Sequence, residues 1–235
     1  MPELPHAAGQ IISYIEMCQA WSSSFQRGMN FRLRPDRSVV LMSRRSNAPY
    51  RDRVDGNGRI LIYEGHDVAK TVGSPDPKSL DQPRSTPSGR LTQNGMFESA
   101  ALSSKAGKSR QEVVAVYEKI KDGIWAFNGL FLLTDAWQES DGKRLVFKFR
   151  LELDESRLNL EPISETELEQ TRVIPSTVKF EVWKRDKGKC VLCGSTENLH
   201  YDHDLPYSKG GSSLTPVNIR LLCARHNLSK SNKIE

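Results

Sequence analysis

The chain has 235 residues, 34 Lys plus Arg against 29 Asp plus Glu, a formal net charge of +5 and 37% hydrophobic residues. That is long enough for one large domain or two small ones, and apolar enough to build a core. No run of 18 apolar residues occurs, which excludes a transmembrane helix, and Met1-Pro2-Glu3 lacks the charged and apolar parts of a secretory signal. A cytoplasmic protein with no membrane partner is therefore expected. Apolar residues at helical spacing from Ala7 to Trp21 predict an N-terminal helix over 7–22, stopped by Ser22-Ser23-Ser24. Residues 38–42 and 60–63 read as strands, separated by the turn formers Asp55-Gly56-Asn57-Gly58. Residues 73–90 hold Pro75, Pro77, Pro83 and Pro87 among Gly, Ser and Asp, a composition that predicts a mobile surface loop.

A short helix over 95–106 and a strand over 112–120 follow. From 124 to 153 the pattern is β: Leu145, Phe147, Phe149, Leu151 and Leu153 alternate with Val146, Lys148, Arg150 and Glu152, giving one apolar and one mostly charged face. Asp141-Gly142 marks a hairpin turn ahead of that strand. Residues 154–175 form either a helix around 164–170 or a linker. The charge divides along the same lines. Residues 1–153 carry 22 basic and 17 acidic side chains, residues 154–175 carry 2 and 6, and residues 176–235 carry 10 and 6. Two basic blocks flank an acidic hinge, which permits a polyanionic partner without requiring one.

Six of the nine Cys and His residues fall between 190 and 226: Cys190, Cys193, His200, His203, Cys223 and His226. Cys190-x-x-Cys193 and Cys223-x-x-His226 can each wrap one edge of a tetrahedral zinc ion, and four such ligands favour a closed structural site. A redox dithiol at Cys190/Cys193 is the alternative, although it would not need the second pair. Cys18 reads as a small buried hydrophobe. Between and beyond the two pairs lie Asp202-His203, Gly210-Gly211, Asn218, Asn227 and Lys230.

In this order and spacing residues 176–235 resemble the HNH endonuclease family. The resemblance implies a ββα-metal domain in which Asp202 and Asn227 hold a catalytic Mg²⁺ or Mn²⁺ and His203 is the general base. Asn218 would orient the loop, and Cys190, Cys193, Cys223 and His226 would hold structural Zn²⁺. Many members have cysteine at position 226 and histidine at position 227, so here His226 is counted with the zinc. His200, Lys209, Arg225 and Lys230 are each either phosphate contacts or ordinary structural and surface side chains.

Asn47 to Asp55, Ile62 to Gly65, Gly89 to Asn94, Phe127 to Phe131 and the closing strand 145–153, with Trp137 in a turn, resemble a divergent SRA (YDG) domain over residues 35–153. That family flips a modified cytosine into an aromatic pocket. The resemblance implies Tyr50 and Tyr63 as stacking walls. Arg53 stands where the reader carboxylate is expected, which leaves Asp52 or Glu64 for that role. The combined expectation is an α+β chain in three parts: a mainly β SRA-like curved sheet or barrel with flanking helices over 1–153, an acidic linker over 154–175, and the HNH domain over 176–235. Its partner would be double-stranded DNA carrying 5-methylcytosine or a relative, cut by a restriction-type endonuclease; cutting both strands needs a dimer or two molecules on opposite sites, and a homodimer is expected. A homing or phage endonuclease and a non-catalytic zinc-stabilised reader are the rival readings.

Overall fold

A computed structural model describes residues 5–45, 47–55, 59–154, 156, 174–205 and 211–230. The first block is built on one mostly antiparallel sheet. Its strands are β1 (Ile11–Ser13), β2 (Met29–Arg34), β3 (Arg37–Met42), β4 (Arg53–Asp55), β5 (Ile60–Glu64), β6 (Glu112–Lys121), β7 (Ile124–Ser140) and β8 (Leu145–Leu153). The order is β2-β3-β6-β7-β8-β5-β4, with β1 added on the first residues of β7. Among the described residues the sheet is open, with β2 and β4 at its edges, rather than a closed barrel. Among the described strands only β3 and β6 run parallel. The expected α+β class holds, with helices α1 (Tyr14–Trp21) and α2 (Gln93–Lys105) flanking the sheet.

Period-two alternation assigns the two faces. Val40, Met42, Val114, Val116, Phe147 and Phe149 pack with Phe97 and Ala101 of α2. Their neighbours Val39, Val113, Ala115 and Tyr117 pack with Met17 and Trp21 of α1. β6 is therefore buried on both sides. The Tyr117 hydroxyl accepts from Trp21 Nε1 (2.8 Å) and pairs with His6 Nδ1 (2.8 Å), so the polar tip of a buried ring is satisfied.

Three sequence expectations change. The helix over 7–22 begins only at Tyr14: residues 11–13 are strand, and Ser13 caps α1 through a reciprocal capping box with Glu16. The Pro-rich segment is irregular but pinned. Arg144 Nη1 donates to Pro77 O (2.7 Å) and Leu80 O (3.0 Å), and buried Gln82 bridges Gly65 O and Phe147 N. On β8, Lys148 is 5% exposed and paired with Glu64 at 2.9 Å, so this side of the strand is not simply solvated.

The second block comprises α3 (Ser176–Arg185), the antiparallel pair β9 (Leu199–His203) and β10 (Ile219–Cys223), and α4 (Ala224–Lys230). It is packed on the first. Residues 9–13 lie between the blocks: Gly9 N donates to Phe127 O (2.8 Å), Phe127 N to Gln10 O (2.9 Å), and Tyr201 N to Gly9 O (3.3 Å). Ile11, Ile120 and Ala126 share one apolar cluster with Ile174, Val178, Val182, Leu199 and Tyr201. Inside this junction Lys179 Nζ donates to Glu118 Oε2 (3.0 Å) and Asn128 Oδ1 (2.5 Å), and Asn128 Nδ2 donates to Glu118 Oε2 (3.1 Å). The helix expected around 164–170 lies outside the described residues. Among the described residues no helix is long and apolar enough to cross a membrane.

Removing one member of a buried ion pair leaves an uncompensated charge, at a cost of roughly 3–5 kcal/mol. Lys179→Met should lower the stability to urea by about that much, and the double variant Lys179→Met/Glu118→Gln should recover part of it. Equal stability of Lys179→Met and the parent would show that the pair contributes nothing.

Candidate metal centre and nucleic-acid interface

The four knuckle residues converge. After α3 the chain turns through Lys187 and Gly188 into Cys190, whose carbonyl accepts from Gly194 N (2.8 Å), while Val191 N donates to Leu221 O on β10 (3.0 Å). Cys223 ends β10, and His226 follows three residues later in the first turn of α4. All four ligand atoms lie within 4.8 Å of one another. His226 Nδ1 is 3.4 Å from both Cys190 Sγ and Cys223 Sγ, and Cys193 Sγ is 3.8 Å from Cys223 Sγ. A tetrahedral zinc with bonds near 2.3 Å to sulfur and 2.0 Å to nitrogen has edges of about 3.8 and 3.5 Å. The donor set fits such a metal.

This knuckle supports the β9–β10 pair and the helix behind it. Asn218 clamps the connection: its Oδ1 accepts from Leu205 N (2.8 Å), and its Nδ2 donates to Leu205 O (3.2 Å) and Ser212 O (3.1 Å). His203 Nε2 pairs with the hydroxyl of buried Ser213 at 2.6 Å. Asp202 faces α4, where Lys230 Nζ is 2.5 Å from its Oδ2 and also reaches the His203 carbonyl. Asn227 lies three residues before Lys230, on the same side of the helix. Lys230 departs from the phosphate-contact reading: its side chain is 1% exposed and its charge is spent on Asp202, so it is not offered to a backbone phosphate. Arg225 is exposed, and Lys209 lies outside the described residues.

The first block has its own concavity, of about 830 Å³, between residues 26–28, the end of β5, the turn at 83–87 and the start of α2. Tyr50 lines it, stacked on His66 with ring centroids 5.8 Å apart and planes 16° apart, and the Lys78 ammonium lies 4.1 Å from the Tyr50 centroid. Thr92 caps α2, and Asn94 in its first turn holds the His66 backbone: His66 N donates to Asn94 Oδ1 (2.8 Å) and Asn94 Nδ2 to His66 O (2.9 Å). Gly28 closes the back of this wall. A Cβ there would lie 2.6 Å from the Tyr63 hydroxyl and 3.2 Å from His66 Nε2.

The other three residues expected in a base pocket lie elsewhere. Tyr63 is 1% exposed within the sheet core, with its hydroxyl toward Leu41 O (3.4 Å), so it is a packing residue and not a stacking wall. Asp52 accepts from Ser43 N and Glu64 N (both 3.0 Å), stapling the end of β3 to β5. Glu64 is buried against Arg51 N (3.1 Å) and Lys148 Nζ (2.9 Å). Both carboxylates are committed to the frame.

The acid at the cavity is Asp67, which the sequence reading passed over, as it did His66. Burial works to raise the Asp67 pKa, but hydrogen bonds from Lys78, Gln82 and Arg144 outweigh it and hold the carboxyl below its usual range. Burial lowers the His66 imidazole to about 4, Arg27 adding to the effect and Asp67 opposing it. His66 Nε2 is buried with no hydrogen-bond partner among the described residues. The available signal was Gly65. A Cβ at that position would lie 2.6–2.8 Å from Asn94, Gln82 and Phe147, so the chain must thread closely just before these two residues.

Metal analysis should find one zinc per chain, lost when Cys190 and Cys223 are both replaced by Ser, with a fall in melting temperature. A metal-free chain of unchanged stability would remove the centre. His66 should remain neutral until about pH 4, so its share of stability is lost as pH falls from about 6.5 through 4. An imidazole NMR titration midpoint near 6.5 for His66 would contradict this.

No protein family and no curated protein matches the chain. Among solved structures it is similar to the SUVH5 SRA domain in complex with hemimethylated CG DNA, at 22% identity and a TM-score of 0.46, covering 68% of this chain and 97% of that one. For the SUVH5 SRA domain with fully methylated CG DNA the values are 21%, 0.47, 69% and 97%. For Arabidopsis thaliana SUVH6 in complex with SAM they are 18%, 0.43, 74% and 28%.

Proposed function

We propose that the chain is a modification-dependent DNA endonuclease: the first block receives a modified cytosine in the Tyr50 cavity, and the second hydrolyses a phosphodiester bond. The observation that carries this is the arrangement of the second block. Asp202-His203 ends a strand whose partner runs into the Cys₃His cluster and then into the helix bearing Asn227. A zinc fold alone has no need of that trio.

Asp202 and Asn227 offer a carboxylate and an amide oxygen, hard donors suited to Mg²⁺ or Mn²⁺. The Lys230 ammonium bonded to Asp202 Oδ2 would have to yield that oxygen to a bound metal. Such a metal, when bound, supplies stabilisation of charge on the phosphate and the departing oxygen. The residues of the chain do the rest. His203, as a neutral imidazole, takes a proton from the attacking water, with its ring held by Ser213. Asn218 fixes the loop that carries Ser212 and Ser213 beside it. In the first block Tyr50 lines the cavity with His66 and Asp67, and Gln26, Arg27, Gln93 and Asn94 are further polar side chains on its wall. Cutting both strands would take two copies.

A second reading, a zinc-stabilised modified-base reader that does not cut, draws on the same Lys230, because an ammonium seated on Asp202 competes with a divalent ion. Digestion of matched duplexes carrying cytosine, 5-methylcytosine or 5-hydroxymethylcytosine, with Mg²⁺ or Mn²⁺, separates the two. Cutting of modified DNA only is expected. His203→Ala should lower the rate at least 100-fold and leave DNA binding unchanged. Equal cutting of all three duplexes would remove the reader assignment, and full activity in His203→Ala would remove the base assignment.

A further inference from the structure

We infer that the two blocks act as one rigid body, and that the junction between them, not the length of the acidic segment, sets how far from the recognised base the strand is cut. The inference rests on the endonuclease reading above. Three observations at the junction carry it. An apolar contact alone can slide, but Lys179, 2% exposed, is held by Glu118 on β6 and Asn128 on β7, so its ammonium has one position. The Tyr201 hydroxyl donates to the Lys179 carbonyl at 3.0 Å, which ties α3 to β9 one residue before Asp202. The backbone adds a third tie, because Gly9 bonds both Phe127 of β7 and Tyr201 of β9.

The path from the sheet of the first block to the Asp202-His203 pair therefore runs through buried, directional contacts. It does not need residues 157–173. A flexible tether of about 17 residues would have an end-to-end distance of about 23 Å and would scatter cuts over about seven base-pair steps. A docked pair confines them to one offset. Lys179, Glu118, Asn128 and Tyr201 are thus positioning residues for the cut.

The test lengthens the segment within 157–173 by ten Gly/Ser residues and maps cuts on a duplex with a single modified cytosine. One unchanged offset, within one or two nucleotides, is expected with and without the insertion. An offset that moves or spreads with the insertion overturns the inference. If the parent protein cuts no DNA, the endonuclease reading fails separately, and docking is then read without activity. A protease site is placed in the same segment of the full chain and cleaved. Co-elution of the two pieces as one species on size exclusion supports the docked body, and their separation overturns it.

Discussion

The structure depends on a short piece of extended backbone, residues 9–13, wedged between the large sheet and the small one. Its amides and carbonyls are shared between β7 and β9, and Ile11 enters the apolar cluster that contains residues of both blocks. Buried backbone groups must be paired, so this segment can lie here only while both neighbours are in place. Lys179 and Glu118 stand beside it as a buried ion pair, with Asn128 bonded to both. Interfaces between domains are commonly polar and loose. This one has the apolar interior of a domain core, with a buried ion pair set within it.

The same economy of charge separates frame from site. The carboxylates of Asp52 and Glu64 accept backbone amides or a buried lysine, and so hold β3, β5 and β8 together. Asp67 also carries cations, but it does so at the cavity, where Lys78, Arg144 and Gln82 fix its orientation. In the second block Asn218 makes three side-chain hydrogen bonds to one loop, which fixes the path of that loop. Ser213, buried beside His203, fixes the imidazole ring through its hydroxyl.

Much of this was legible in the sequence because spacing carried it. Two ligand pairs at fixed intervals announced the Cys₃His cluster, and strict alternation from Leu145 to Leu153 announced β8. What was missed depends on distant partners. Lys148 and Lys230 looked like solvated or phosphate-binding charges, and only the fold shows each buried on a carboxylate far away in the chain. Residues 11–13 scanned as helix because their apolar pattern continues into α1, and pairing with β7 overrode it. The first-block site was displaced by a few residues for a similar reason: Tyr63, Asp52 and Glu64 belong to the strand frame, and the cavity wall begins just after the strand ends at His66 and Asp67.

The wedge at residues 9–13 also sets the order in which the molecule can assemble. Ile11 pairs with Ala126, and Gly9 bonds Tyr201, so residues 9–13 meet their partners only across more than a hundred residues of chain. β3 must likewise wait for β6, its parallel neighbour. Contacts this distant in sequence make closure slow, since loop entropy is lost before the contacts that offset it form. Residues 9–13 therefore fasten the two halves through contacts that no local folding step can form.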